Sequence, residues 1–170
     1  SFNPGSGANG SIGSCAIQSD GKILLTGEFT SFNGVSRNYI NRLNANGSND
    51  TGFNIGTGPN NFVYKAELQS NGKIIAIGTF TLINGNVARY IARFNSDGSL
   101  DASFNSGNAT LNSPIIDMSI QSDGHIMIAG FFKCPAKVIK IKGIRMRKQG
   151  LEGKQCLKLN SSSADLFDWS

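Results

Sequence analysis

Two kinds of apolar run recur along the chain. In the first kind, apolar residues alternate with polar or small ones. Gly13, Cys15 and Ile17 are separated by Ser14 and Ala16, and Tyr64, Ala66 and Leu68 by Lys65 and Glu67. Ile116, Met118 and Ile120 are separated by Asp117 and Ser119. Period-two alternation predicts a half-buried strand with the first-named set turned inward. On that reading Cys15 shares a slot with Ala66 and Met118 and is a small buried apolar residue rather than a nucleophile. The second kind is nearly continuous, as in Ile23-Leu24-Leu25, Ile74-Ile75-Ala76-Ile77 and Ile126-Met127-Ile128-Ala129. Such runs predict strands covered on both faces. Each closes on a Gly followed two residues later by Phe: Gly27/Phe29, Gly78/Phe80 and Gly130/Phe132.

Between the two runs stands Gln18-Ser19-Asp20-Gly21-Lys22-Ile23, which returns at Gln69 and, with His125 in the Lys position, at Gln121, spacings of 51 and 52 residues. An Asp-Gly or Asn-Gly pair here predicts a hairpin with a two-residue turn, both central residues at positive φ. A further turn at Asn33-Gly34 and Asn84-Gly85 leads to a third strand, Tyr39–Leu43 and Tyr90–Phe94. Phe-Asn pairs at Phe2, Phe53 and Phe104 begin the units. The expected organisation is repeat 1 over 1–52, repeat 2 over 53–103, and repeat 3 over 104–170 with a basic insertion at about 133–155. Past Phe132 two readings stay open. Either the repeat resumes at Cys156-Leu157-Lys158-Leu159-Asn160, with Trp169 in the place of Phe104, or an unrelated tail follows. In the first case 133–155 is an exposed loop.

The net charge of +5 is unevenly spread: residues 133–158 carry +8 and the rest −3. A basic patch attracts anions, but no nucleic-acid motif frames this one, so nucleic acid is not an expected partner. No run approaches the roughly 20 apolar residues of a membrane helix. Cys15, Cys134 and Cys156 match no metal-ligand spacing, and a Cys134–Cys156 bridge stays open. The chain opens on Ser1 inside a repeat, as expected of a processed product or a piece of a longer protein.

Short strands, Gly-rich turns and a period near 50 are the pattern of propeller blades. The succession from Gln18-Ser19-Asp20-Gly21-Lys22-Ile23 through Gly27-Glu28-Phe29, Asn33-Gly34 and Tyr39-Ile40-Asn41-Arg42-Leu43-Asn44, with Ser99-Leu100-Asp101-Ala102-Ser103-Phe104 closing the next unit, resembles the delta-60 repeat. That propeller-type repeat belongs to bacterial surface or secreted proteins and to phage structural proteins. The resemblance implies an all-β chain of three propeller-like blades, the last irregular, in a secreted, cell-surface or virion setting. It implies no catalytic residue.

The chemistry within reach is sparse. Asn44, Asn46 and Asp50, and again Asn95, Asp97 and Asp101, place oxygen ligands around a Gly turn as a calcium loop would. They lack the further carboxylates of a full loop, and Asx side chains also close turns on their own backbone. No metal or other cofactor is therefore expected. Arg42 and Arg93 recur at one strand position, with Lys158 as a third, and are expected to pair with Asp50 and Asp101 or to brace neighbouring units. The lone His125 reads as a solvated turn residue. Phe32, Phe62, Tyr64 and Trp169, with the loop amides, could line a sugar-binding surface. No nucleophile–base pair or phosphate-binding loop is present. The expectation is a non-enzymatic interaction scaffold of a surface, adhesin or phage-fibre protein. The alternatives are a lectin-like module that binds surface glycans and, behind it, a glycan-degrading enzyme. Because propellers use about four to eight blades, three units imply protein partners or self-association to complete the ring.

Overall fold

In a computed structural model, residues 1–104 and 111–130 are described in full and residues 144–148 by their backbone. The described residues form strands and turns, with no helix. The first unit contains β1 (Ile12–Ile17), β2 (Ile23–Gly27), β3 (Ser31–Phe32), β4 (Val35–Ser36) and β5 (Ile40–Leu43). The second repeats it with β6 (Val63–Leu68), β7 (Ile74–Gly78), β8 (Leu82–Ile83), β9 (Asn86–Val87) and β10 (Ile91–Phe94). The third contains β11 (Ile115–Ile120), β12 (Ile126–Gly130) and β13 (Ile144–Lys148). Each unit forms a three-stranded sheet, in the orders β1-β2-β5, β6-β7-β10 and β11-β12-β13. The short pairs β3-β4 and β8-β9 are separate hairpins between the second and third strands.

The two turn motifs adopt different geometries. At Asn33-Gly34 both residues have positive φ, 50° and 73°, the mirror-image two-residue turn that suits a twisted hairpin. At the Gln-Ser-Asp-Gly turn the expected geometry is corrected. Gly21 N–H donates to Gln18 O at 2.9 Å and Gln18 N–H to Lys22 O at 2.8 Å, and of the turn residues Gly21 alone has positive φ. This is an ordinary four-residue turn closed by a left-handed glycine, so Asp20 keeps a relaxed backbone. Its carboxylate accepts the Lys22 N–H instead.

A bulge sits at the same place in all three inner hairpins, between Ile12 and Ser14, between Val63 and Lys65, and between Ile115 and Asp117. The extra residue reverses the inside–outside phase of the strand. Strict alternation from Ala66 would turn Tyr64 inward. The bulge turns Val63 inward and leaves Tyr64 and Ile116 exposed. It also explains the glycine that ends each second strand. A Cβ on Gly78, opposite the bulge, would lie 2.0 Å from Phe62 O, so only a residue without a side chain fits.

The third sheet departs from the pattern. β5 and β10 run antiparallel to their neighbours, whereas β13 pairs with β12 in parallel. Part of the stretch expected to be an exposed loop over 133–155 is therefore a strand. Cys134, Cys156, Lys158 and Trp169 lie outside the described residues, as does the expected resumption of the repeat there.

The sheets pack face to face in chain order. Leu24, Ile40, Ala16 and Tyr39 of the first cover Val63, Ala66, Ile74, Ala76 and Phe94 of the second. Ile75, Ile77 and Ile91, on the second sheet's other side, cover Ile115, Met118, Ile126 and Ile128 of the third. At ~25 cal/mol per Å² of apolar surface removed from water, these two seams are the main source of stability. The receiving face of the first sheet has no such cover among the described residues. Ile12 is 49% and Ile17 75% exposed, and Cys15 is exposed as well. The burial expected of Cys15 is corrected, because its equivalents are buried by a neighbouring sheet and among the described residues it has none.

Candidate functional site

The repeated arginine forms an ionic cluster in both complete units. Arg42 on β5 donates from Nε to Asp50 Oδ2 at 2.7 Å, and Lys22 reaches the same oxygen at 3.0 Å. The guanidinium lies over the Phe53 ring, 4.6 Å from its centroid, and donates to Ser96 O at 2.7 Å. Arg42 thus binds its own unit through Asp50 and the next through Phe53 and Ser96. The second unit repeats the core of this cluster. Arg93 meets Asp101 at 2.8 Å and stacks 4.8 Å from the Phe104 centroid, while Lys73 meets Asp101 at 2.5 Å. Burial, the largest influence on Asp50, works to raise its pKa. Lys22, Arg42 and the Gly52 N–H outweigh it and hold the carboxyl below its ordinary value. Asp101 is likewise held well below the ordinary carboxylate range. Burial opposes the shift, and Lys73, the Ser103 hydroxyl and N–H, and Arg93 overcome it.

This geometry separates the calcium candidates. Asn46 Oδ1 accepts the Ser48 N–H at 3.0 Å and its hydroxyl at 2.8 Å, and Asp97 does the same for Ser99. Asn44 and Asn95 donate to the same two serine hydroxyls. These four close their own turns, whereas Asp50 and Asp101 turn to the Arg–Lys clusters. A cation would have to displace two protein cations from either carboxylate. Among the described residues no group of three or more His, Cys, Asp or Glu could hold a metal.

The described members of the sugar-surface set do not share one exposed face. Phe32 is buried, Phe62 packs edge-on against Tyr39 with centroids 5.6 Å apart, and Tyr64 stands exposed on β6. Trp169 lies outside the described residues. Several loop amides serve the fold instead. Asn9 Oδ1 accepts the Thr30 and Ser31 N–H groups, and Asn60 those of Thr81 and Leu82. Asn33 and Asn84 accept the N–H groups of Gly7 and Gly58. His125 Nδ1 lies 2.9 Å from the Asp123 carboxylate inside its turn.

The seam between the second and third sheets carries polar chemistry that the sequence did not single out. Lys65 Nζ lies 2.9 Å from Glu67, 3.0 Å from Asp117 and 2.7 Å from Met118 O. Glu67 Oε2 in turn accepts the Ile120 N–H at 3.0 Å. Burial works to lower the Lys65 pKa, but Glu67 and Asp117 raise it above its ordinary value. Beside this network the turns at Gln69 and Gln121 border a cleft of about 400 Å³, whose lining includes Glu67, Asn71, Ser122 and the apolar Leu68 and Ile120. Gln69 Oε1 is buried there without a hydrogen-bond partner among the described residues. Pairing across units was the missing signal, since Lys65 and Asp117 stand 52 positions apart.

Sheets that repeat at 51 residues and pack face to face in order define a propeller-type repeat. The chain matches the sequence model of a beta-propeller family, described as a domain of unknown function (DUF5122), over residues 18–53 and 69–104. Each matched segment starts at the Gln turn and ends on the Phe under the arginine, and so contains one whole ionic cluster. Comparison with curated proteins and with solved structures returned no match.

Proposed function

We infer that the chain is a non-enzymatic β-propeller-type interaction scaffold of the delta-60 kind, part of a secreted, cell-surface or virion protein such as an adhesin or phage fibre. The observation that carries this reading is the repetition of the ionic cluster within two segments that match a beta-propeller family. A group present once per unit, paired and stacked within the fold, serves the assembly of units rather than one reaction. Fold alone does not choose a ligand, because propellers host many functions. The test is a binding screen against surface extracts of candidate host cells, run beside hydrolysis assays on polysaccharides. Saturable binding without turnover supports the scaffold. Turnover that a single substitution abolishes overturns it.

The cleft at Gln69 and Gln121 favours a second reading, a lectin-like module. Amide, hydroxyl and carboxylate groups lining it beside the apolar Leu68 and Ile120 suit a saccharide. A glycan array separates the two readings. Specific sugar binding that Gln69→Ala removes would promote the lectin reading over the general scaffold.

A further inference from the structure

Five Asn-Gly pairs lie among the described residues, beginning at Asn9, Asn33, Asn46, Asn71 and Asn84. In such a pair the Gly nitrogen can attack the Asn side-chain carbon and close a five-membered ring. The step needs a free attacking N–H, donors on the oxygen that takes up negative charge, and an unencumbered leaving nitrogen. The fold distributes these three unequally.

The pairs in the short hairpins have all of them. Asn33-Gly34 and Asn84-Gly85 are the two-residue turns of β3-β4 and β8-β9, with both glycines exposed. Gly34 and Gly85 donate to no backbone acceptor among the described residues. Asn84 Oδ1 accepts the Gly58 N–H at 2.8 Å and the Thr57 hydroxyl at 3.0 Å. Asn33 Oδ1 repeats the arrangement with the Gly7 N–H at 2.8 Å and the Ser6 hydroxyl at 3.3 Å. Two donors converging on one carbonyl oxygen are what stabilises the oxyanion of a tetrahedral intermediate. Only the oxygens of these two amides are engaged among the described residues, which leaves each Nδ2 untied. The other pairs lack one element each. The N–H groups of Gly47 and Gly72 are spent on closing their turns, to Asn44 O and Gln69 O, both at 2.9 Å. Asn9 is pinned at both ends of its amide, the oxygen by the Thr30 and Ser31 N–H groups and Nδ2 by Thr30 Oγ1.

We propose that Asn84, and after it Asn33, are sites of spontaneous deamidation built into the folded hairpins. The Gly85 nitrogen gives its proton to solvent and bonds to Asn84 Cγ. The Cγ–Nδ2 bond breaks, and Nδ2 takes up a proton and leaves as ammonia. Water then opens the ring at either carbonyl, leaving aspartate or isoaspartate at position 84. In sum, one water is consumed and one ammonia released, and the hairpin tip gains a negative charge. The site goes beyond the scaffold reading and does not depend on it.

Incubation of the full chain at mildly alkaline pH, followed by digestion and peptide mass, tests it. Asn84 is expected to convert fastest, and Asn33 next because the Ser6 hydroxyl stands farther off. Asn46 and Asn71 are expected to convert about tenfold more slowly, since their turns must first open. In urea the rates of these four are expected to converge, because the same dipeptide is then equally free in each. Thr57→Val, at an exposed position, is expected to slow Asn84 about fivefold and to leave Asn33 as an unchanged internal control. Ser6→Ala is expected to slow Asn33 alone. The proposal is overturned if Asn46 or Asn71 keeps pace with Asn84 in the folded chain, or if the order persists in urea. It is equally overturned if Asn84 converts as fast or faster in Thr57→Val.

Discussion

Val63 and Ile12 occupy the same place on the inner strands of adjacent sheets, yet Val63 is fully buried and Ile12 is about half exposed. The same contrast runs through Ala66 and Cys15, and through Phe53 and Phe2. The strands, their bulges and their turns are alike in the two units. What differs is the neighbour. A repeat of this kind makes its hairpins from local sequence but seals its core with the unit before it, so a residue's energetic weight depends on position in the array as much as on identity. The first unit keeps a small core of its own, in which Leu25, Phe29, Phe32 and Leu43 are buried although no preceding sheet covers it among the described residues.

The sharpest test of this contrast substitutes the paired phenylalanines in dilute solution, where each chain is isolated. Phe53→Ala is expected to cost about 3–5 kcal/mol, since it removes a fully buried ring and the platform under Arg42. Phe2→Ala at the equivalent position should stay within about 0.5 kcal/mol. Urea unfolding of both variants reads the difference, and equal costs would remove the distinction between sealed and open units.

The ionic clusters come next. Asp101→Asn should cost about 2–3 kcal/mol, less than for a fully buried pair because Lys73 keeps contact with water. Asp50→Asn should behave alike, since Lys22 is equally placed. Both carboxyls are depressed in the folded state. Their contribution is therefore present above the unfolded value of about 4 and is lost as pH falls through the lower folded values. Acid titrations monitored by fluorescence should show wild-type stability falling as pH drops from about 4 toward the folded values, and each variant should lose the part of this acid dependence that its own aspartate supplies.

A smaller effect separates the two seams. Lys65→Met should weaken the contact between the second and third sheets by about 1 kcal/mol, while Ser14→Ala, its counterpart in the first unit, should change little. Lys65 has a raised folded pKa, so its contribution is complete below the unfolded value of about 10.4 and is lost as pH rises through the folded value. Thermal melts at alkaline pH should show a loss in the wild type that Lys65→Met lacks. Last, chelator should leave the melting temperature unchanged, because the Asn44 and Asn95 turns are closed by their own serines and their aspartates are paired.

Much of this architecture was legible in the residues. The three Gln turns, the glycine-ended second strands and the pairing of Arg42 with Asp50 all follow from local pattern and repetition. The phase of the inner strand did not, because one extra residue at Tyr64 leaves alternation intact on both sides while inverting its sense. Cys15 was misplaced for a different reason: repetition assigns its slot but says nothing about whether a neighbour is present to bury it. The small hairpins β3-β4 and β8-β9 are two-residue strands, too short for periodicity to register. The parallel β13 and the Lys65–Asp117 contact arise from tertiary placement, which no local window contains.

The recurring bulge has a consequence for how such a chain avoids exchanging parts with its neighbours. Opposite each bulge stands a glycine, Gly27, Gly78 or Gly130, and at Gly27 and Gly78 a one-residue slip of either strand would drive a side chain into backbone. Register is thereby guarded, but provenance is not. The same fit would let β1 zip onto β7, or onto the β2 of another molecule. Only the shortness of the turn from Gln18 to Gly21 makes the correct mate overwhelmingly the first one met. Lengthening that turn with flexible residues should leave each hairpin's fit untouched while opening a route to strand-swapped chains during refolding.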